Sequence, residues 1–197
     1  MTFLFDIGRV LLDFDFEASL SRLLPEDCGD PHARLSRLLG KKDEFEAGRI
    51  APEKYIPWAL GVMESPATHD EFRHAWCDIF TPNPPMWDCV ERLADNGHRL
   101  ILFSNTNAIH CPWVFGEYDI FSRFHGGVLS FEVGEIKPND AIYQHAVREW
   151  SLDPRDTLYI DDLPENTATG ERFGFRCHTY DARRHDDFLS WLSTHID

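Results

Sequence analysis

The sequence predicts an α/β protein, a doubly wound parallel sheet carrying a helical insertion, and three observations lead there. Short runs that are apolar on both faces alternate with amphipathic helical stretches. Each run ends by delivering a polar residue. The connection between the first two runs is far longer than the dozen or so residues a crossover needs. Runs apolar on both faces are strands buried between two layers of helices. Their alternation with helices implies right-handed crossovers and a parallel sheet, a Rossmann-like core.

The first run, Thr2-Phe3-Leu4-Phe5, passes straight into Asp6, with Gly8 two places on. Asp13-Phe14-Asp15-Phe16 alternates apolar and acidic residues, and Asp15 is placed to cap an amphipathic helix over 17–24. From residue 25 to about 81 the pattern is wholly helical. Leu35, Leu38 and Leu39 mark one helix, and Phe45 to Ile50 read as a turn closed by Gly48. Pro52 opens a helix through Tyr55, Ile56, Trp58 and Leu60, and Phe72, Ala75, Trp76 and Ile79 mark another. Thr81-Pro82-Asn83-Pro84-Pro85 is the strongest breaker in the chain and a natural hinge. Residues 17–82 are therefore expected to form an inserted helical cap, and residues 1–16 with 83–197 the core.

After the hinge come a helix over 86–96, then a strand over 99–103 that delivers Ser104-Asn105-Thr106-Asn107. A strand near 126–130 follows, then a loop carrying Lys137, a helix over 140–150, and a strand over 157–160 that ends at Asp161–Asp162. A helix over 164–173, a strand over 175–179 and a helix over 183–195 complete the chain.

Composition limits the partners. The chain has 197 residues, is 43% hydrophobic and has a formal net charge of −15. One generous domain, or a core with a smaller insert, fits that length. An acidic surface repels nucleic acid and anionic membranes, so neither is an expected partner. The five cysteines, Cys28, Cys77, Cys89, Cys111 and Cys177, are odd in number and lack paired spacing, which points to reduced thiols and a cytoplasmic setting. His74 and Cys77 have half of a zinc spacing with no second pair to match. No apolar run reaches the ~18 residues of a membrane span.

Strand and loop ends thus present Asp6, Ser104, Lys137 and Asp161–Asp162, and in a parallel sheet all the carboxyl ends share one edge. Adjacent carboxylates are costly to gather unless a cation neutralises them. A lysine and a serine suit a phosphoryl group, Mg²⁺ would bridge it to the carboxylates, and an aspartate in such a set can attack phosphorus. A signalling receiver domain uses similar groups, but it places its acidic pair first and has no insertion.

Phe5-Asp6-Ile7-Gly8-Arg9-Val10, Leu102-Phe103-Ser104-Asn105-Thr106-Asn107, Gly134-Glu135-Ile136-Lys137-Pro138 and Tyr159-Ile160-Asp161-Asp162 resemble, in order, the four motifs of the haloacid dehalogenase-like superfamily. The position of the insertion matches the members with a helical cap after the first motif. The opening and the Ser-Asn-Thr-Asn segment are most similar to bacterial sugar phosphatases of the α-D-glucose-1-phosphate phosphatase type. This resemblance implies a Mg²⁺-dependent phosphatase acting on a small phosphorylated metabolite, as monomer or homodimer. It makes Asp6 the nucleophile and a metal ligand together with the Gly8 carbonyl and Asp162. Ser104 and the Asn105 backbone or side chain would hold the phosphoryl group, and Lys137 would neutralise it. Asp161 would stand behind the metal ligands, and Asn166 would orient Lys137.

One position departs from the family. Most phosphatases of this superfamily carry a second aspartate two residues after the nucleophile, as general acid for the leaving group. Here that residue is Gly8. The departure keeps open a phosphotransferase or mutase, or a catalytically weak binding protein, and leaves Asp13 as the first substitute acid to consider. Arg9 is also unusual at its position.

Overall fold

The computed structural model describes residues 1–27 and 29–196, so Cys28 lies outside the described residues. The first strand β1 (Thr2–Phe5) is followed by β2 (Leu12–Phe14) and a run of helices: α1 (Phe16–Leu20), α2 (Pro31–Leu39), α3 (Lys42–Glu46), α4 (Pro52–Met63) and α5 (His69–Cys77). The chain then returns through β3 (Phe80–Pro82) to α6 (Pro84–Asp95), β4 (Arg99–Ser104), α7 (His110–Glu117), β5 (Gly127–Leu129) and α8 (Ser130–Val133). The last part comprises α9 (Asp140–Glu149), β6 (Thr157–Asp161), α10 (Pro164–Arg172), β7 (Arg176–Thr179) and α11 (His185–Ser193).

The main sheet has five parallel strands in the order β5-β4-β1-β6-β7. Side chains alternate across a strand, so β1 feeds two cores. Phe3 and Phe5 pack with Leu100, Leu102, Leu158 and Ile160 beneath α6 and α11. Leu4 faces the other way, with Ile101, Phe103 and Tyr159 against Ile142, Tyr143 and Ala146 of α9. Both faces are thus covered, as the apolar runs require. Successive strands build outward from β1 in both directions, β4 and β5 on one side and β6 and β7 on the other. That reversal puts a ligand crevice at the carboxyl end of β1. Phe5 pairs with Leu102 of β4 and Ile160 of β6, so Asp6, Ser104 and Asp161 emerge close together at that edge.

The helices between β2 and β3 bury a third core of their own, built on Tyr55, Phe72, Trp76, Phe45 and Leu38 and joined by Ile109 from the other part of the chain. Local signals start these helices, the Asp15 cap among them as expected. The Asp15 carboxylate accepts from Ala18 N at 3.0 Å, Asp30 caps α2 ahead of Pro31, and Thr68 and Glu71 form a capping box on α5. Trp76 is buried among Phe72, Phe45 and Tyr55, and Trp58 is partly buried beside Lys41, so both tryptophans pack rather than line the site.

Three local expectations change. Residues 80–82 are a strand rather than the end of a helical run: Phe80 pairs with Phe14 and Pro82 with Leu12 in a two-stranded antiparallel ribbon. A proline is tolerated there because a two-stranded ribbon leaves half its backbone groups free of the ladder. The stretch 17–24 breaks after Leu20 into a 3₁₀ turn, Ser21–Leu23. Phe45 and Glu46 complete α3 instead of opening a turn, and the turn proper falls at Gly48, with φ +66°. No helix among the described residues is long and apolar enough to cross a membrane.

Candidate active site

At the carboxyl edge of the sheet Lys137 is the centre of a buried charge network. Its side chain is 1% exposed, and Nζ donates at 2.6 Å to Asp161 Oδ2 and at 2.6 Å to the Phe103 carbonyl. Asp6 Oδ1 lies 3.1 Å from the same nitrogen. Burial alone would push the Lys137 ammonium down, but Asp161 and Asp6 more than offset this and hold it firmly charged.

Asp161 is fully buried and saturated. Oδ2 accepts from Lys137 and from the Tyr159 hydroxyl at 2.6 Å, and Oδ1 accepts from Leu163 N and Asn166 Nδ2, each at 2.9 Å. Burial works against its charge, but these donors prevail and hold its carboxyl below the usual range. With every lone-pair direction taken, Asp161 holds Lys137 in place and is not free to reach a ligand directly. Asn166 acts one step further back than expected. Its amide holds Asp161, which in turn holds Lys137.

The Asn105 side chain is also committed. Its Nδ2 donates to the Lys137 carbonyl at 2.9 Å and its Oδ1 accepts from Lys137 N at 2.8 Å, so it clamps the lysine loop to the end of β4. Of the two alternatives for this residue, only the backbone is left to meet a phosphoryl group. Ser104 is buried at the same strand end, and its hydroxyl draws the Asp6 carboxyl down.

Asp6 has a buried oxygen without a hydrogen bond, and Asp162 lies beside it, partly exposed. Asp6 is 8% exposed, and Oδ1 accepts no well-formed hydrogen bond despite the nearby ammonium, whose two short bonds go to Asp161 and Phe103. Burial raises its carboxyl, Lys137 pulls it back down, and Asp161 raises it further. The Asp162 carboxyl is pushed up to about 7 by burial, then by Asp6 and by Asp161. Oxygens of Asp6, Asp161 and Asp162 lie within 4.8 Å of one another, and with Asp161 committed to Lys137 the other two are left to meet a cation. An orphaned carboxylate oxygen and a neighbour held back from ionising are what a bound cation relieves, and an all-oxygen donor set suits Mg²⁺. The residues present therefore fit the metal.

The cavity above Asp6 has a volume of about 170 Å³ and is closed on its far side by residues from the helical section. Lys42 and Glu46 of α3 line it, with Phe14, Phe16 and His110. Neither Lys42 nor Glu46 is among the residues the motifs point to. His110 was not singled out either, yet its ring is buried, its Nδ1 accepts from Asn107 Nδ2 at 3.0 Å, and its Nε2 donates to the Trp76 carbonyl at 2.9 Å. Burial pushes its imidazole down to about 3, so it is neutral and ties the loop after β4 to α5. Its place just after the Ser104 loop was the only signal available.

The acids that follow Gly8 in the chain are engaged elsewhere. Asp13 pairs with Arg9 and accepts from Phe14 N, with its side chain 60% exposed. Asp15 is occupied as the α1 cap. Arg9, at φ +57°, lies over the Phe14 ring at 4.3 Å rather than against Asp6. Gly8 itself has an ordinary backbone conformation, but a Cβ there would lie 3.0 Å from Phe14 Cε1. The Phe14 ring thus crowds the place where other family members carry the acid.

The chain is 24% identical over 183 residues to the D-ribitol-5-phosphate phosphatase of Bacteroides thetaiotaomicron, covering 87% of each protein. The HAD family enzyme BT-2542 of the same organism superimposes with a TM-score of 0.81 at 22% identity, over 95% of this chain and 97% of that one. A structure of the wild-type BT-2542 protein in complex with magnesium and inorganic phosphate gives 0.79 at 24% identity, over 92% and 94%. The L-2-haloacid dehalogenase of Xanthobacter autotrophicus is more distant, with a TM-score of 0.64 at 15% identity, over 89% and 75%. Residues 2–174 match the haloacid dehalogenase-like hydrolase family, and the chain belongs to it.

Proposed function

We propose that the chain is a Mg²⁺-dependent phosphoric monoester hydrolase that works through an aspartyl-phosphate on Asp6. The observation that carries this is the sharing of one buried ammonium, Lys137, between the unsaturated Asp6 and the saturated Asp161. Asp161 fixes the lysine, and Asp6 keeps an oxygen free to attack.

In this account a carboxylate oxygen of Asp6 bonds to phosphorus and the ester P–O bond breaks. Lys137, Ser104 and the Asn105 backbone hold the phosphoryl oxygens as charge builds on them. Water then cleaves the acyl phosphate, releasing phosphate and restoring Asp6. Mg²⁺, held by Asp6, the Gly8 carbonyl and Asp162, would offset the negative charge of both carboxylates and phosphoryl group. The intact Asp161–Asp162 pair argues against metal-free dehalogenation. Residues 17–82 act as a cap that shuts water out and meets the leaving group. The similarity to D-ribitol-5-phosphate phosphatase favours a sugar or polyol phosphate as substrate.

Phosphate release across a panel of sugar and polyol phosphates tests this, with metal-stripped protein supplied either Mg²⁺ or EDTA. Release that needs Mg²⁺ supports the proposal, and full release in EDTA overturns it. The second reading, a protein that binds such a metabolite without turning it over, rests on Gly8. It predicts Mg²⁺-dependent binding with no release from any ester.

A further inference from the structure

Phosphate monoesters with poor leaving groups need a proton delivered to the departing oxygen, and Gly8 has none to give. Among the residues lining the Asp6 cavity, one acid comes from the opposite wall. Glu46 ends α3, is 5% exposed, and lines the cavity together with Asp6. Its carboxylate has one hydrogen-bonded partner, Lys42, whose Nζ donates to Oε2 at 2.8 Å.

The backbone around Glu46 is fixed to the core rather than loosely perched above it. The Ser130 hydroxyl donates to the Glu46 carbonyl at 2.6 Å and accepts at 2.9 Å from Thr106 N, in the loop that follows Ser104. Two residues on, Gly48 sits so close to α8 that a Cβ would lie 2.2 Å from the Phe131 carbonyl oxygen. Only glycine fits that approach, at that positive φ. Such anchoring is what a group needs if it is to meet a reacting atom at a defined position.

We propose that Glu46 is the general acid of this enzyme, reaching the leaving group from the cap in place of an acid at position 8. The inference rests on the phosphatase reading above. As the Asp6 oxygen bonds to phosphorus, the ester P–O bond breaks and its electron pair stays on the leaving oxygen. The Glu46 proton passes to that oxygen, so the alcohol departs neutral and Glu46 is left as a carboxylate against the Lys42 ammonium. Glu46 then takes a proton from the water that attacks the acyl phosphate, and the cycle closes with both acids restored.

The electrostatics around Glu46 suit an acid that must hold and return a proton. Burial raises its carboxyl, Lys42 draws it back, and Asp43 on the same helix and Asp6 across the cavity raise it further. Lys137 and Asp162 line the same cavity, and His110 there is neutral.

The test compares phenyl and p-nitrophenyl phosphate, which match in shape but differ in how well the leaving group carries charge. In Glu46→Gln, with Mg²⁺, kcat/KM for phenyl phosphate should fall about 10²-fold or more, while the nitrophenyl ester falls less than about threefold. The wild-type rate on phenyl phosphate should decline as pH rises through deprotonation of Glu46, and this limb should vanish in the glutamine variant. Lys42→Gln should move the limb to higher pH. Equal losses on both esters, or a limb that Lys42→Gln leaves in place, would overturn the assignment while leaving the phosphatase reading intact. No release from either ester by the wild type, with Mg²⁺ bound, would remove both. Should Glu46→Gln fail to fold, the wild-type and Lys42→Gln pH profiles decide the matter alone.

Discussion

The floor and the roof of the cavity are built on opposite plans. On the floor, strand ends and one loop bring Asp6, Ser104, Asp161 and Lys137 together, and most polar atoms there have several partners. On the roof, α3 offers a single ion pair, Lys42–Glu46, set among aromatic walls. Dense mutual satisfaction suits a task common to all substrates, since a phosphoryl group presents the same oxygens each time. A sparse roof can be altered to suit one leaving group without disturbing that chemistry. Damage to the floor should therefore cost all substrates alike, and damage to the roof should depend on the ester.

The largest effect within this contrast belongs to Lys137→Ala. It should lower kcat/KM by at least about 10²–10³-fold on good and poor leaving groups equally, because it removes a cation aimed at developing charge. It also leaves Asp161 and Asp6 buried without their counter-ion, at a cost of about 3–5 kcal/mol that thermal or urea unfolding would reveal. A loss confined to poor leaving groups would break the division between floor and roof.

Asp162 gives a pH-dependent effect of intermediate size. Its carboxyl titrates near 3.8 when unfolded and at about 7 in the folded, metal-free protein. The folded state thus binds the extra proton between those values, and metal-free stability should fall as pH rises through that window. Mg²⁺ should restore it, with a Tm shift larger at pH 8 than at pH 5. Asp162→Asn should flatten the metal-free slope and remove most of the Mg²⁺ shift. Unchanged slopes in the variant would mean that other buried acids, such as Glu46, set the pH response.

Much of the floor was legible in the sequence, and little of the roof. Asp6, Ser104 and Asp161–Asp162 follow apolar runs, so parallel strands deliver them to one edge whatever the helices do. Lys137 lies in a loop, yet its order in the chain still identified it. Glu46 could not be found that way, because its direction depends on where α3 stops. That point is set by the approach of Gly48 to Phe131, a contact between segments more than eighty residues apart. Phe80–Pro82 was misread for a related reason: a proline-rich hinge looks like a breaker until Phe14 pairs with it. Asn105 could be named from the sequence, but which of its groups is committed depended on the Lys137 loop.

The smallest predicted effect sharpens the comparison at the seam. Ser130→Ala leaves the Glu46 carbonyl and Thr106 N without their shared partner, which should cost about 1–3 kcal/mol of stability. Phenyl phosphate turnover should fall more than that of the nitrophenyl ester, since roof and floor lose their common anchor. Identical changes in the two rates would show that Ser130 acts on the floor alone.

The most direct measurement of the central claim is phosphate release by Asp6→Asn, supplied with Mg²⁺ and shown by its Tm to be folded. An amide can neither attack phosphorus nor match the charge of the metal site. Release should fall at least about a thousandfold, to a level unaffected by the choice of ester. Retention of a tenth of the wild-type rate would contradict covalent catalysis by Asp6.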